Sequence, residues 1–360
     1  MNAGQARWHR ALPILLLALV IGGCGGTVSG DKAGGNEQPI TLTLGSPDSE
    51  GTPGTDALRH FVQQVADLSE GRITVELRWN VVGDAEDPEG DTIRAVLNGT
   101  IDLGWVGTRA WDGQGVVGFS ALQAPFLIDD YGVLDAVLKS DVPAPMLTEL
   151  DGIGLTGLAV YPDQLRHPFG FDAPFLTLDD FAGAGLRVPD SQVSDAVIRA
   201  LGATPLHLNG GAFGEAIDNG EVVGAESSIG NVMNGNAGIM PTGAYMTMNL
   251  TFYPKLQTLF AETGRYASLS ASTRSVLETA AGETLTYLLG QDPEGADVEG
   301  FCEVGGTLVN ASPSDLEEIS AAAEPVTRSL EVDATVADYI ARIRELKAST
   351  TPAPLAVCPT

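Results

Sequence analysis

Between residues 40 and 106 the chain alternates strand-type runs with helix-type periodicity, which restricts the fold to a few layered α/β architectures. ITLTL (40–44) reads as a first strand. The segment 55–69 then places Leu58, Phe61, Val62, Val65 and Leu68 three and four residues apart, the spacing of one helix face. RITVELRW (72–79) alternates polar and apolar side chains, 92–97 forms a short helix closed by Asn98 and Gly99, and IDLGWV (101–106) is a third strand. Strand, helix, strand, helix, strand predicts a parallel or mixed sheet with helical cover. The loop 45–54, rich in Gly, Ser and Pro, follows the first strand end, where α/β sheets place ligands.

The rest of the chain continues in this vein. LTGLAVY (155–161) is a buried strand, with a first crossing between two lobes expected just after it. Val193, Val197 and Leu201 line one face of a helix over 192–201. TPLHL (204–208) is a short strand, 209–214 is loose, 215–219 is a brief helix, and 222–225 returns as a strand. The runs 253–260 and 266–271 suggest a strand-rich return to the first lobe, and 301–309 a strand or hairpin. Ser312 followed by Pro313 is a helix start, and 333–346 is a last helix, acidic at its beginning and basic near its end. The expected organisation is a signal peptide (1–23), a tether (24–39), lobe I (40–163 and 252–291), lobe II (164–251 and 292–347) and a C-terminal tail (348–360).

The formal net charge is −28, from 47 acids against 19 bases, which excludes nucleic acid as a partner because phosphate binding needs a basic footprint. Arg7 and Arg10 precede an apolar segment over 11–21 and then Gly22, Gly23 and Cys24, the order of a secretory signal. IGGC (21–24) resembles the lipobox of bacterial lipoproteins, which makes Cys24 the lipidated first residue and anchors the chain to a membrane outside the cytoplasm. Cys302 and Cys358 remain. In such a compartment two spare cysteines usually pair, and this pair would pin the tail to the body; two free thiols are the alternative.

Positive charge is scarce in the middle of the chain. Arg166, Arg187 and Arg199 are the only Lys or Arg residues between Ser140 and Pro254, and Arg199 falls off the apolar face of its helix. Arg187 lies in the short apolar run LRVP (186–189), after an acidic helix start and two glycines. The planar guanidinium matches a carboxylate with two parallel charge-assisted bonds, so Arg187 is the candidate receptor for the carboxylate of a small ligand in a cleft. The residues alone also allow a structural salt bridge at Arg187, and favour one at Arg166. Trp105, Trp111 and Tyr161 are candidate cleft aromatics, with ordinary core packing the alternative. No nucleophile elbow or metal-ligand motif occurs, so no catalytic residue, cofactor or metal is assigned and the chain reads as a non-enzyme.

Several of these segments resemble one family, the solute-binding proteins of tripartite ATP-independent periplasmic (TRAP) transporters, dicarboxylate-binding type. The resemblance is carried by the helix and strand of 58–75, LNGTIDL (97–103), PFLI (125–128), DFAGAGLRVP (180–189), ALGATP (200–205) and FYPKLQ (252–257), in order along the chain. It implies a two-lobed, type II periplasmic-binding-protein-like α/β fold with a hinge and an inter-lobe cleft, a small organic acid as ligand, and TRAP membrane subunits as partners. A ligand-binding module of another transporter class or of a sensory system is the alternative. Arg187 matches the family's principal carboxylate clamp and Arg166 its assisting arginine. Glu226 keeps its place, whereas Ser227 stands where the family has a ligand-touching asparagine. Gly210 and its neighbours replace bulkier side chains at the rim, which implies a wider pocket than a C4-dicarboxylate needs and backbone N–H groups open to an anion.

Overall fold

The computed structural model describes residues 38–83, 85–208, 210–235 and 243–359. The expected signal peptide, nearly all of the tether and the Cys24 lipidation site lie outside them. Among the described residues no helix is long and apolar enough to cross a membrane.

The elements are β1 (Ile40–Gly45), α1 (Thr55–Leu68), β2 (Ile73–Arg78), α2 (Pro88–Leu97) and β3 (Leu103–Gly107), then two 3-10 turns, Thr108–Gln114 and Gly118–Gln123. Next come α3 (Tyr131–Lys139), α4 (Pro143–Glu149), β4 (Leu155–Gly170), α5 (Leu178–Phe181), β5 (Gly185–Arg187), α6 (Gln192–Ala200) and β6 (Thr204–Leu206). α7 (Gly210–Asp218), β7 (Gly224–Ser227), β8 (Tyr245–Thr247), β9 (Tyr253–Glu262), α8 (Thr263–Ser268) and α9 (Ala271–Leu288) follow. The chain closes with α10 (Gly295–Glu303), β10 (Thr307–Val309), α11 (Pro313–Leu330) and α12 (Ala334–Ser349).

The strands follow the order β2-β1-β3-β9-β4-β7-β5-β6, with β8 and β10 branching from β4. β1 runs parallel to β2 and β3, and β5 parallel to β6 and β7, as expected where helices connect neighbouring strands. β9 is inserted antiparallel between β3 and β4. The 16-residue β4 joins the two halves: its Leu155–Arg166 portion pairs with β9 and its His167–Gly170 portion pairs with β7. The crossing is therefore made by the strand itself, with a register break between Pro162 and Leu165.

Each half buries both faces of its sheet. In the first half, Leu58, Phe61 and Val65 of α1 pack with Trp105, Tyr161 and Leu277 on one face. On the other, Ile93, Trp111, Phe119 and Phe260 pack with α3, α4 and the α12 residues Val336, Tyr339, Ile340 and Ile343. In the second half, α6 and α11 cover one face through Val197, Ile198, Ile319 and Ala323. There α7 and α10 cover the other through Phe213, Val298 and Phe301.

Several expectations are corrected. α12 belongs by its packing to the first half and not to lobe II, because its apolar stripe inserts beside α3. Residues 266–268 end α8 and Ala271 opens α9, with Leu269 and Ser270 extended between them; Glu262 caps α8 by accepting from Gly264 and Arg265, and Ser270 caps α9 through Thr273. The helix expected over 215–219 begins at Gly210, and 301–303 ends a helix before the short β10. The Ser312 cap with Pro313 in the first turn of α11 is as expected, and the last helix, expected over 333–346, runs over Ala334–Ser349 with Asp333 as its cap. Cys302 and Cys358 form a disulfide that ties the tail to α10.

Candidate functional site

The crossing strands bring charged side chains from both halves to one buried place. Arg166 sits on β4 and Glu226 two positions into β7, whose register places Pro168 opposite Glu226. Arg166 Nε and Nη2 both donate to the Glu226 carboxylate, the latter at 3.1 Å, and Nη2 also donates to the Glu226 carbonyl at 2.8 Å. The side chains are 3% and 0% exposed, so this is a desolvated ion pair. The mutual attraction and bonds to Glu226 outweigh burial and raise the pKa of Arg166.

Arg187 ends β5, in register with Ala225 of β7 and Leu206 of β6. It is half-buried, its Nε donates to the Leu208 carbonyl at 3.0 Å, and its guanidinium carbon lies 5.9 Å from the centre of the Phe213 ring. Burial, then the charge of Arg166 and, more weakly, of Arg109, push its pKa down to about 10. It stays charged at neutral pH, and the Glu226 carboxylate opposes part of that push.

Arg109 lies just after β3 and pairs with Glu89 of α2 at 3.0 Å, while Glu89 Oε1 also accepts from Gly107 N–H. Burial raises the Glu89 carboxyl and Arg109 opposes that rise. Arg109 was not singled out in the sequence. The signal available was its position directly after a third strand end, the same rule that marked the loop after β1. Lys255 on β9 was equally unmarked; it is buried and pairs with Asp163 at 3.0 Å. Among the described residues the set holds Arg166 with Glu226, Arg109 with Glu89, and Arg187 beside them.

The other expected site residues separate. Trp105 stacks on Tyr161 with centroids 5.1 Å apart, and the Tyr161 hydroxyl donates to the Ala281 carbonyl. Both belong to the core between the sheet and α9. Trp111 packs edge-on against Phe260 and donates to Thr258 Oγ1 at 2.9 Å. These three rings are core side chains: β3 and β4 turn Trp105 and Tyr161 toward α1 and α9, and the 3-10 turn after β3 packs Trp111 against Phe119 and Phe260. Glu226 acts as counter-ion to Arg166. Ser227 is buried opposite His167 and donates to the Ser228 carbonyl at 3.3 Å. Gly210 opens α7, two residues after the carbonyl that accepts from Arg187.

The lips of the two halves touch. Ser191, the cap of α6, donates to Asp112 at 3.2 Å and to Gln123 at 2.9 Å, and Gln192 N–H reaches Asp112 at 3.2 Å. Behind them a cavity of about 120 Å³ is bordered by Glu89, Ala110, Asp112 and Gln192. A larger cavity of about 600 Å³ lies elsewhere, and none of Arg109, Arg166 or Arg187 lines it.

Two α/β halves sharing one sheet, crossed by continuous strands with cations buried at the crossing, define a two-lobed binding protein of the type II periplasmic class. The sequence model of bacterial extracellular solute-binding protein, family 7, matches residues 44–333, and the chain belongs to that family. It is 26% identical over 197 residues to the C4-dicarboxylate-binding periplasmic protein DctP of Rhodobacter capsulatus, covering 54% of this chain and 57% of that protein. It is also 26% identical over 208 residues to the C4-dicarboxylate-binding protein DctB of Bacillus subtilis, covering 56% and 57%. The chain thus spans little more than half the length of these curated relatives. Among solved structures, the galactonate complex of a sugar acid binding protein from Advenella mimigardefordensis superposes with a TM-score of 0.75 at 22% identity, covering 87% of this chain and 99% of that one. A TRAP periplasmic solute-binding protein of Shewanella oneidensis with bound succinate gives 0.73 at 18% identity, covering 85% and 99%. At such identities these structures establish the fold.

Proposed function

We propose that this chain is the extracytoplasmic solute-binding component of a TRAP transporter, capturing a small organic acid anion between its halves and delivering it to membrane subunits. In this reading Arg187 clamps the carboxylate, and Arg166 and Arg109 contribute charge from positions fixed by Glu226 and Glu89. The carrying observation is the convergence of three buried or half-buried arginines where β4, β5 and the end of β3 meet. Guanidinium groups brought together in this way present the planar, charge-assisted donors that a carboxylate accepts. The same N-terminal pattern that predicts export predicts lipidation at Cys24, which would hold the protein at the membrane surface.

The small side chains of Gly210, Gly211 and Ser227 favour an acid bulkier than succinate, such as a sugar acid. Galactonate and succinate are bound by two proteins of this fold, and they bracket that size range. The test is calorimetry of the purified protein with succinate, galactonate, galacturonate and glucuronate. The expected result is saturable binding of a sugar acid that Arg187→Ala abolishes while the melting temperature without ligand is kept. Binding of every acid at wild-type affinity by the Arg187→Ala variant overturns the clamp.

A further inference from the structure

The cavity of about 600 Å³ lies between the loop 51–57, the start of α3 and the end of α9 on one side, and Asn234 and the segment 291–297 on the other. Among the described residues its lining holds six carboxylates, Asp56, Asp135, Asp163, Asp292, Glu294 and Asp297, and no lysine or arginine. Gly54 permits the close approach of its loop. It has a φ of +83°, and a Cβ there would stand 3.0 Å from Asp163 Oδ2.

Most of these carboxylates are accounted for. Lys255 holds Asp163, and Lys139 holds Asp135 at 2.8 Å. Asp292 accepts from the N–H groups of Glu294 and Gly295, and Asp297 accepts from Gln164 and Asn234. Glu294 differs. It is only 7% exposed, it lines the cavity, and its Oε1 has no hydrogen-bond partner among the described residues. Its carboxyl also bonds to Tyr131, whose hydroxyl accepts from Leu165 N–H at 3.1 Å. A buried carboxylate oxygen with no donor is rare in folded proteins and marks a place where a donor from outside fits.

We propose that this cavity is a second binding site, for an organic cation carrying two or more ammonium groups. An ammonium supplies three donors and no acceptor, which is what Glu294 Oε1 requires, and the surrounding carboxylates add favourable charge. A metal ion fits less well, because the described residues contain no group of three or more His, Cys, Asp or Glu side chains disposed to hold one. Carboxylates spread along a cavity suit charges spread along a chain. Pro53, Pro162, Leu288 and Leu289 provide apolar wall for the methylenes between them. Burial lifts the Glu294 carboxyl to about 7, so a neighbouring ammonium would shift it toward the ionised form. None of Arg109, Arg166 or Arg187 lines this cavity, so the proposal does not rest on the organic-acid reading, although Asp163 lines it and is felt by Arg166.

The experiment is calorimetric titration of the purified full chain with putrescine and with spermidine at fixed ionic strength, repeated with magnesium chloride as the simple-cation arm. Glu294→Gln keeps the shape and removes the charge. Asp56→Lys changes a side chain that is 92% exposed at the rim, so its folding is not in question. The expected result is saturable one-site binding of spermidine, weakened about tenfold or more by either substitution, as for loss of one charge-assisted bond. Arg187→Ala leaves it unchanged. Failure of spermidine to saturate, equal binding by Glu294→Gln and wild type, or displacement by magnesium beyond its ionic-strength effect would each overturn the proposal. Loss of organic-acid binding in Arg187→Ala reports on the other site and leaves this outcome untouched.

Discussion

Arg166 and Glu226 are locked together across β4 and β7 by three hydrogen bonds in a place almost without solvent. Removing one partner leaves the other charge buried and unpaired. Glu226→Ala is therefore expected to destabilise the protein by about 3–5 kcal/mol, measured by denaturant unfolding. Glu226→Gln keeps part of the bonding and should fall short of that. A loss below 1 kcal/mol for the alanine variant would show that the pair contributes little to holding the halves.

Arg187 makes a different prediction, because it is half-buried at the end of a three-residue strand. Arg187→Ala should leave the unfolding midpoint close to wild type while removing most organic-acid affinity, a cost of about 3–5 kcal/mol in binding. Arg187→Lys keeps the charge and loses the planar fork, so it should recover only part of that affinity. Thermal shift with and without ligand separates the two effects, because a ligand that binds only the folded state raises the melting temperature.

His167 gives the pH dependence. Burial, with a smaller push from the Arg166 charge, lowers its pKa to about 4 from 6.5. The unfolded chain takes up this proton as pH falls below 6.5, whereas the folded chain resists it until about 4. Stability from this group is thus complete above pH 6.5 and declines toward pH 4, by about 3 kcal/mol. His167→Gln should flatten that limb in unfolding curves recorded between pH 7 and 4. An unchanged slope would assign the acid sensitivity to other groups.

The Cys302–Cys358 disulfide closes a sequence separation of 56 residues. Loop-closure entropy assigns such a crosslink about 4 kcal/mol. Reduction, or Cys302→Ser together with Cys358→Ser, should lower the unfolding free energy by about 2–4 kcal/mol and release the segment after α12 to proteolysis. Organic-acid binding should survive, because the arginine cluster lies on other elements.

Periodicity made the first half legible in the sequence: β1, α1, β2 and β3 emerge within two residues of their expected bounds because each alternates or repeats cleanly. The second half was harder. Gly210 and Gly211 argued for a loop, yet the buried side chains of Phe213 and Ala216 hold that segment in a helix against the sheet. At 266–271, small and polar residues gave no periodic signal, and the caps Glu262 and Ser270 decided the outcome.

In the site, Arg166 and Arg187 stood out because cations are scarce nearby. Arg109 and Lys255 did not, since their importance comes from pairing with Glu89 and Asp163, which are far away in the chain. The aromatic residues misled for the opposite reason: Trp105 and Trp111 sit near the end of β3 in sequence, but strand alternation sends Trp105 into one packed layer and the 3-10 turn folds Trp111 into the other.

β9 occupies the slot between β3 and β4, although it is made some ninety residues after β4 ends. Until Glu262 has left the ribosome, the flanking strands have open edges and the first layer cannot close. Such a polypeptide is slow to become compact and stays threadable for much of its synthesis. For a chain whose opening residues read as an export signal, delayed closure of the sheet favours passage through a translocation channel before folding ends.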